Sequence, residues 1–326
     1  MKHKRASVQN RLETLKSVCI GNKPDEIHPL VRKALKDAHQ LMVGQAALMC
    51  GEYMFHDMDK DLITAYRRFL ENPVKKDPNC RAKTAIARAL VELDCQDYNF
   101  FIEGIKYRQF EPVWGGSIDT AVDLRLACAV GLTNTSYSRA LIELVPLLYD
   151  MEPQVRIGVV GVFSRTEPFA SEAVLHGKIL SGDSEPAVIT EALTELIRIS
   201  PEASMDFVSG YFDKKENPAF LESLALTLGA SRLEEALKVL QTCWDKEPLK
   251  KRAVIFLRGA ALHRSEEAFS WLIGIVAEGD TQSARFVLEE LSMYHTDEKL
   301  TSRLKSALSQ RGDENLLSFF HEIHYR

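Results

Sequence analysis

At 326 residues the chain exceeds what one compact hydrophobic core usually supports, which predicts either two globular domains or a modular array. A hydrophobic share of 45% and a charged share of 27% exclude collagen-like and disordered low-complexity chains, and no window approaches the roughly 20 apolar residues that span a bilayer. The formal charge of −5 leaves no global basic field to draw in nucleic acid, whose binding is dominated by phosphate neutralisation.

Residues 1–24 carry Lys2, Lys4, Arg5, Arg11, Lys16 and Lys23 against Glu13 alone, with Val8, Leu12, Leu15 and Val18 at helical spacing. This predicts a short amphipathic helix capping the rest of the chain, with a basic docking arm as the alternative. No apolar run follows Met1-Lys2-His3-Lys4-Arg5, so no signal peptide is expected. The six cysteines (Cys19, Cys50, Cys80, Cys95, Cys128, Cys243) form no CxxC pair and mostly fall inside apolar helical patterns, as expected of reduced thiols in a cytoplasmic protein. Gly21-Asn22-Lys23-Pro24 then interrupts the helix.

From 25 to 326 a single array of helix pairs is predicted. A turn recurs as Asp77-Pro78-Asn79-Cys80-Arg81, Glu152-Pro153-Gln154-Val155-Arg156, Glu185-Pro186-Ala187-Val188, Asn217-Pro218-Ala219-Phe220 and Glu247-Pro248-Leu249-Lys250, each ahead of an apolar helical run. Proline suits a first helical turn because the N–H it lacks would be unpaired there, and an acidic neighbour suits the positive helix end. On this rhythm the second helix of each pair begins near Leu41, Asn79, Val122, Gln154, Ala187, Ala219, Leu249 and Thr281. Caps at Ser265 and Thr296-Asp297 open first helices, and alternating strand patterns are nearly absent, so essentially no sheet is expected.

Arginine follows the proline position by three residues at Arg81, Arg125, Arg156 and Arg285. With the stretches Asp77–Leu93 and Asp150–Ser164, the chain resembles the HEAT-repeat family, whose units carry an acidic-Pro-x-x-Val-Arg turn and an Ala/Leu-rich second helix. The resemblance covers most of the chain. It implies an all-α, right-handed α-solenoid of about eight HEAT-like helix pairs, with no significant sheet and with second helices lining a concave face. Ile189, Leu221 and Lys251 stand where later units would carry the arginine, which breaks any uniform arginine ladder. The segment 77–132 also resembles a group of bacterial HEAT-repeat proteins, a likeness that brings no catalytic residue with it.

The longest interval between turns, Pro78 to Val122, contains an inserted loop over 108–119, Gln109-Phe110-Glu111-Pro112-Val113-Trp114-Gly115-Gly116-Ser117-Ile118-Asp119. Loops carried on rigid repeats are preferred sites for binding groups, and Trp114 has the chemistry of an anchor. The competing expectation is that Trp114 folds back to plug a gap between unequal units, with Gly115 and Gly116 supplying positive φ. Groove candidates close to the insertion are Arg81, Arg88, Asp119, Asp123, Arg125 and Arg156, as a ridge for a charged peptide or small anion, or else as ion pairs between repeats.

Catalytic motifs are not evident. His56-Asp57-Met58-Asp59-Lys60-Asp61 lacks the glycine and distal glutamate of a calcium loop, and His321-Glu322-Ile323-His324 lacks the i, i+4 histidines of a zinc protease. No phosphate-binding glycine loop or nucleophile elbow is present, Cys50, Cys95 and Cys128 lack a neighbouring base, and Cys243 beside Trp244 reads as helix packing. No metal, cofactor or catalytic residue is assigned. The expectation is a non-catalytic scaffold that binds another protein through its concave face and the Trp114 loop. The alternative is a nucleic-acid-binding or DNA-glycosylase-like solenoid, which the net charge disfavours.

Overall fold

The computed structural model describes residues 7–18, 23–213 and 217–324. Lys2, Lys4, Arg5, Cys19, the Gly21-Asn22 break, Tyr325 and Arg326 lie outside the described residues. Among the described residues the chain is all-helical apart from one small ribbon, with 77% in helix. It divides into two compact units, the first closing at Glu167 and the second opening at Pro168.

The first unit holds α1 (Val8–Val18), α2 (Pro24–Leu35), α3 (Gln40–Glu52), α4 (Asp59–Arg68), α5 (Pro73–Lys76), α6 (Arg81–Glu92), α7 (Tyr98–Lys106), strands β1 (Phe110–Val113) and β2 (Gly116–Asp119), α8 (Val122–Asn134), α9 (Ala140–Leu144) and α10 (Pro153–Phe163). Its frame is a succession in which α3 packs on α6, α6 on α8 and α8 on α10, with α7 laid against α8. Each helix meets partners that are near in sequence, as a modular array predicts. Fully buried Ala46, Ala47, Ala82 and Ala87 let these axes approach closely, while Ile86, Leu90, Leu124 and Leu132 fill the space between them.

The second unit holds α11 (Pro168–Ser181), α12 (Pro186–Ile199), α13 (Pro201–Ser209), α14 (Pro218–Ser231), α15 (Glu234–Lys246), α16 (Lys250–His263), α17 (Glu266–Glu278), α18 (Thr281–Leu291), α19 (Glu298–Arg311) and α20 (Glu314–His324). Here α12, α14, α16, α18 and α20 follow one another in contact. The tightest approach joins α14 to α16. A Cβ added at Gly229 would lie 2.0 Å from the Gly259 carbonyl oxygen, and one at Gly259 would lie 2.5 Å from that of Ala225. Two helices thus touch backbone to backbone, which only glycine permits.

Pro153, Pro186 and Pro218 each open a helix, as the recurring turn predicts. Ser265 and Asp297 cap α17 and α19 by accepting the amides of Ala268 and Leu300. Two turns depart from the rule. α16 begins at Lys250, beyond Pro248, and α6 begins at Arg81 rather than Asn79. In the latter, Pro78 lies in a 3-10 turn, and Asn79 and Cys80 follow with φ of 59° and 55°, left-handed values that no α-helix accommodates. The 108–119 segment also differs from the plain loop expected. It folds as an antiparallel ribbon with Phe110 opposite Asp119 and Val113 opposite Gly116. The strands are short and carry a proline and a glycine, so the period-2 signal is weak.

Candidate functional site

The ribbon stands on a buried polar base built from three consecutive turns. In the first, Asp77 is fully buried and plays the part of a helix cap. Its carboxylate accepts the amides of Ala82 at 2.8 Å and Lys83 at 3.1 Å, and the Lys83 ammonium at 2.8 Å. Both side chains of the Asp77–Lys83 pair are fully buried, and the Lys83 Nζ also lies 5.5 Å from the centre of the Tyr107 ring. A buried pair of this kind is stable only when its remaining hydrogen-bonding capacity is satisfied, which the two amides achieve for Asp77.

Glu111, in β1, binds the ribbon to that turn. Its Oε1 accepts the Asn79 amide at 2.6 Å, Gln109 Nε2 at 2.7 Å and the Thr120 hydroxyl at 2.8 Å. Gln109 is buried and uses the same Nε2 to reach the Asp77 carbonyl at 2.9 Å. Burial disfavours the charged form of Glu111, but the hydrogen bonds from Gln109, Thr120 and Asn79 outweigh it and hold the carboxyl below its ordinary range.

Asp119, at the end of β2, closes the base from the other side. It accepts the amides of Gln109 at 3.1 Å and Ala121 at 2.9 Å, and Arg125 Nη1 at 2.6 Å. Here too burial works against the charge, and the two amides with Arg125 overcome it, so the carboxyl titrates below its usual range. The Arg125 side chain is fully buried, donates to the Tyr107 carbonyl at 3.0 Å and meets Asp150 at 3.3 Å. Asp150 also takes Arg108 at 2.5 Å. Its own carbonyl accepts Arg156 Nη1 at 2.7 Å, and that nitrogen reaches the Met151 carbonyl at 3.3 Å.

Above this base the ribbon carries apolar side chains into solvent. Trp114 is fully exposed at the tip, and Phe110, Val113 and Ile118 are about half exposed. Trp114 therefore does not fold back as a plug. Gly115 alone takes a left-handed φ, 83°, at the second central position of the turn, while Gly116 pairs in β2.

The sequence candidates thus separate. Asp119, Arg125 and Arg156 come together beneath the ribbon as structural groups linked through Asp150. Arg88 and Asp123 form an exposed ion pair at 3.1 Å between α6 and α8. Arg81 is exposed and makes no ion pair among the described residues, so it does not belong with the buried arginines. Trp114 stands apart at the tip. Sequence reasoning missed Asp77, Lys83, Gln109, Glu111, Arg108 and Asp150. One signal could have found half of them, because an aspartate precedes a buried cation by six residues at Asp77/Lys83, Asp119/Arg125 and Asp150/Arg156.

The arrangement offers little to a reacting substrate. Burial pushes the Cys80 thiol up to about 12 and Cys95 to about 11, far from thiolate formation near neutral pH. Two carboxylates of the His56–Asp61 stretch are committed: Asp57 meets His28 at 2.8 Å and Arg32 at 2.6 Å, and Asp61 meets Arg32 at 2.9 Å, whereas Asp59 keeps its Oδ1 buried without a hydrogen-bond partner among the described residues and burial raises its pKa. A cavity of about 570 Å³ in the second unit is lined by residues such as Ile197, Arg198, Leu226, Thr227 and Leu262, and among the described residues no carboxylate, histidine or cysteine lines it. No described helix is long and apolar enough to cross a membrane. No protein-family model matches this chain, and no curated protein does either.

Proposed function

We propose that the chain is a non-catalytic α-solenoid of about eight HEAT-like helix pairs that binds another protein, with the β1–β2 ribbon as its contact element. One observation carries this reading. A fully exposed tryptophan, flanked by half-exposed Phe110, Val113 and Ile118, is held on a ribbon whose base is fixed by the Glu111 hydrogen bonds, the buried Gln109–Asp77 bond and buried ion pairs. An exposed aromatic costs little to desolvate and, on a rigid support, loses little entropy when a partner covers it. The face carrying Arg88 and Asp123 contributes less, because those charges already satisfy one another. Arg125 and Arg156 are equally committed, which leaves the nucleic-acid alternative without an arginine row to neutralise phosphates.

Affinity capture with wild type and Trp114→Ala tests this reading, with circular dichroism to establish equal folding. A partner retained by wild type and lost from Trp114→Ala is the expected result. Identical partners for both proteins would remove the ribbon from recognition.

A further inference from the structure

The ribbon has two outer edges, and the register makes them unequal. Val113 pairs with Gly116 across the two-residue turn, and the Thr120 amide donates to the Gln109 carbonyl at 2.8 Å. In an antiparallel pair, hydrogen-bonded and non-hydrogen-bonded positions alternate. Gln109, Glu111 and Val113 therefore turn their main-chain groups inward, while Phe110 and Pro112 on β1, and Ser117 and Asp119 on β2, turn theirs outward. Pro112 has no N–H, so the β1 edge lacks a donor at its middle and is guarded as edge strands commonly are. The β2 edge has no such guard. Ser117 is exposed. The Asp119 side chain is only 2% exposed although the residue as a whole is not buried, so what Asp119 offers solvent is its backbone.

We propose that two copies of this chain associate through β2, pairing antiparallel about a two-fold axis at Ile118 to give a continuous four-stranded sheet. This inference rests on the ribbon being a protein-contact element and names the second copy as an occupant. The outward groups are self-complementary about that axis, since Ser117 of each copy meets Asp119 of the other and the two pairs exchange about four main-chain hydrogen bonds. Ile118, half exposed in the single chain, then faces its own symmetry mate at the close, non-hydrogen-bonded position, with Val113 on the same face of the ribbon. Charge does not oppose the approach. Between Gln109 and Thr120 the only ionisable residues are Glu111 and Asp119; Asp119 is paired with Arg125, and Glu111 is drawn toward the base by Asn79, Gln109 and Thr120 on its Oε1. A two-fold interface of this kind is isologous and closes on itself, so it gives dimers and not filaments. Trp114 stays at the ribbon tips, beside the shared sheet.

Sedimentation equilibrium on the full chain across a micromolar concentration series tests the proposal, together with amide hydrogen exchange at both ends of that series. The expected result is a reversible rise toward twice the monomer mass, with exchange at the Ser117 and Asp119 amides slowing as the mass rises. Ile118→Glu, which sets like charges against each other on the axis, and Ser117→Pro, which removes the outward donor, are each expected to weaken association at least about tenfold. Circular dichroism and unchanged exchange at the Glu111 amide report that the ribbon is intact in each variant. A wild type that stays monomeric throughout overturns the proposal. So does a dimer that forms equally well in both variants, or one whose Ser117 amide remains unprotected. A monomer that still holds a Trp114-dependent partner defeats this inference alone, and a β2 dimer that captures no other protein defeats only the wider functional reading.

Discussion

The Asn79 amide donates to the Glu111 carboxylate at 2.6 Å, fastening the ribbon to a turn in which two successive non-glycine residues, Asn79 and Cys80, hold left-handed backbone. Each left-handed residue costs roughly 1 kcal/mol, and such a conformation persists only where its surroundings fix it. Glu111→Ala leaves the Asn79 amide, Gln109 Nε2 and the Thr120 hydroxyl without their shared acceptor. The expected loss is about 2–4 kcal/mol in urea unfolding, against about 0.5 kcal/mol or less for Trp114→Ala, which touches only solvent. Equal losses for the two variants would show that the clamp contributes nothing.

Acid should release the same clamp. Glu111 and Asp119 both have folded-state pKa values below their unfolded values of about 4, so their stabilisation is fully present above that pH. It is then lost as pH falls through the depressed folded values. The urea midpoint should therefore drop on acidification from pH 5 toward pH 3, and drop less steeply in Glu111→Gln, which keeps an acceptor but cannot titrate. Superimposable pH profiles would exclude Glu111 as a contributor.

Arg81 and Arg125 occupy equivalent places in the sequence rhythm and opposite ones in the structure. Arg125→Ala takes the buried guanidinium away from Asp119 and leaves Asp150 with Arg108 alone, and is expected to cost about 3–5 kcal/mol. Arg81→Ala removes an exposed side chain with no ion-pair partner among the described residues and should fall within about 0.5 kcal/mol of wild type. Differential scanning calorimetry separates the two, and a large loss at Arg81 would mean that its environment is misassigned.

Two glycines in helix interiors should respond with opposite signs. A Cβ at Gly229 collides with the backbone of α16, so Gly229→Ala is expected to cost about 1–3 kcal/mol. A Cβ at Gly161 in α10 meets no atom within 4 Å, so Gly161→Ala should gain up to about 1 kcal/mol from helix propensity. Thermal unfolding of the two variants reads the contrast directly. A neutral Gly229→Ala would imply that α14 and α16 can move apart freely.

The helices were legible because their apolar faces recur at 3.6-residue spacing and their starts carry proline and capping residues, as at Pro153, Pro186, Pro218 and Ser265. The ribbon was not, because Pro112, Gly115 and Gly116 interrupt any alternation and its strands face solvent on most positions. The insertion itself was visible from the broken interval between Pro78 and Val122. Its base was hidden for a different reason. Local rhythm grouped Arg81 with Arg125 and Arg156, whereas burial groups Lys83 with them, and only the six-residue offset from an aspartate distinguishes the two. Left-handed backbone at Cys80 has no sequence mark, since cysteine is not a residue that favours it.

The exposure of Trp114 gives the molecule an optical reporter of its own state. Of the three tryptophans, Trp244 is buried and meets the Trp271 ring edge-on at 6.5 Å, with the Lys250 ammonium 4.2 Å above it. Trp114 alone is fully bathed in water. Its emission is therefore the most red-shifted component and the most open to quenching by dissolved iodide, while Trp244 emits from the helical interior and Trp271 from a partly buried site. Whatever covers the ribbon must shift that component to the blue and shield it from the quencher, with no label attached and no helix disturbed.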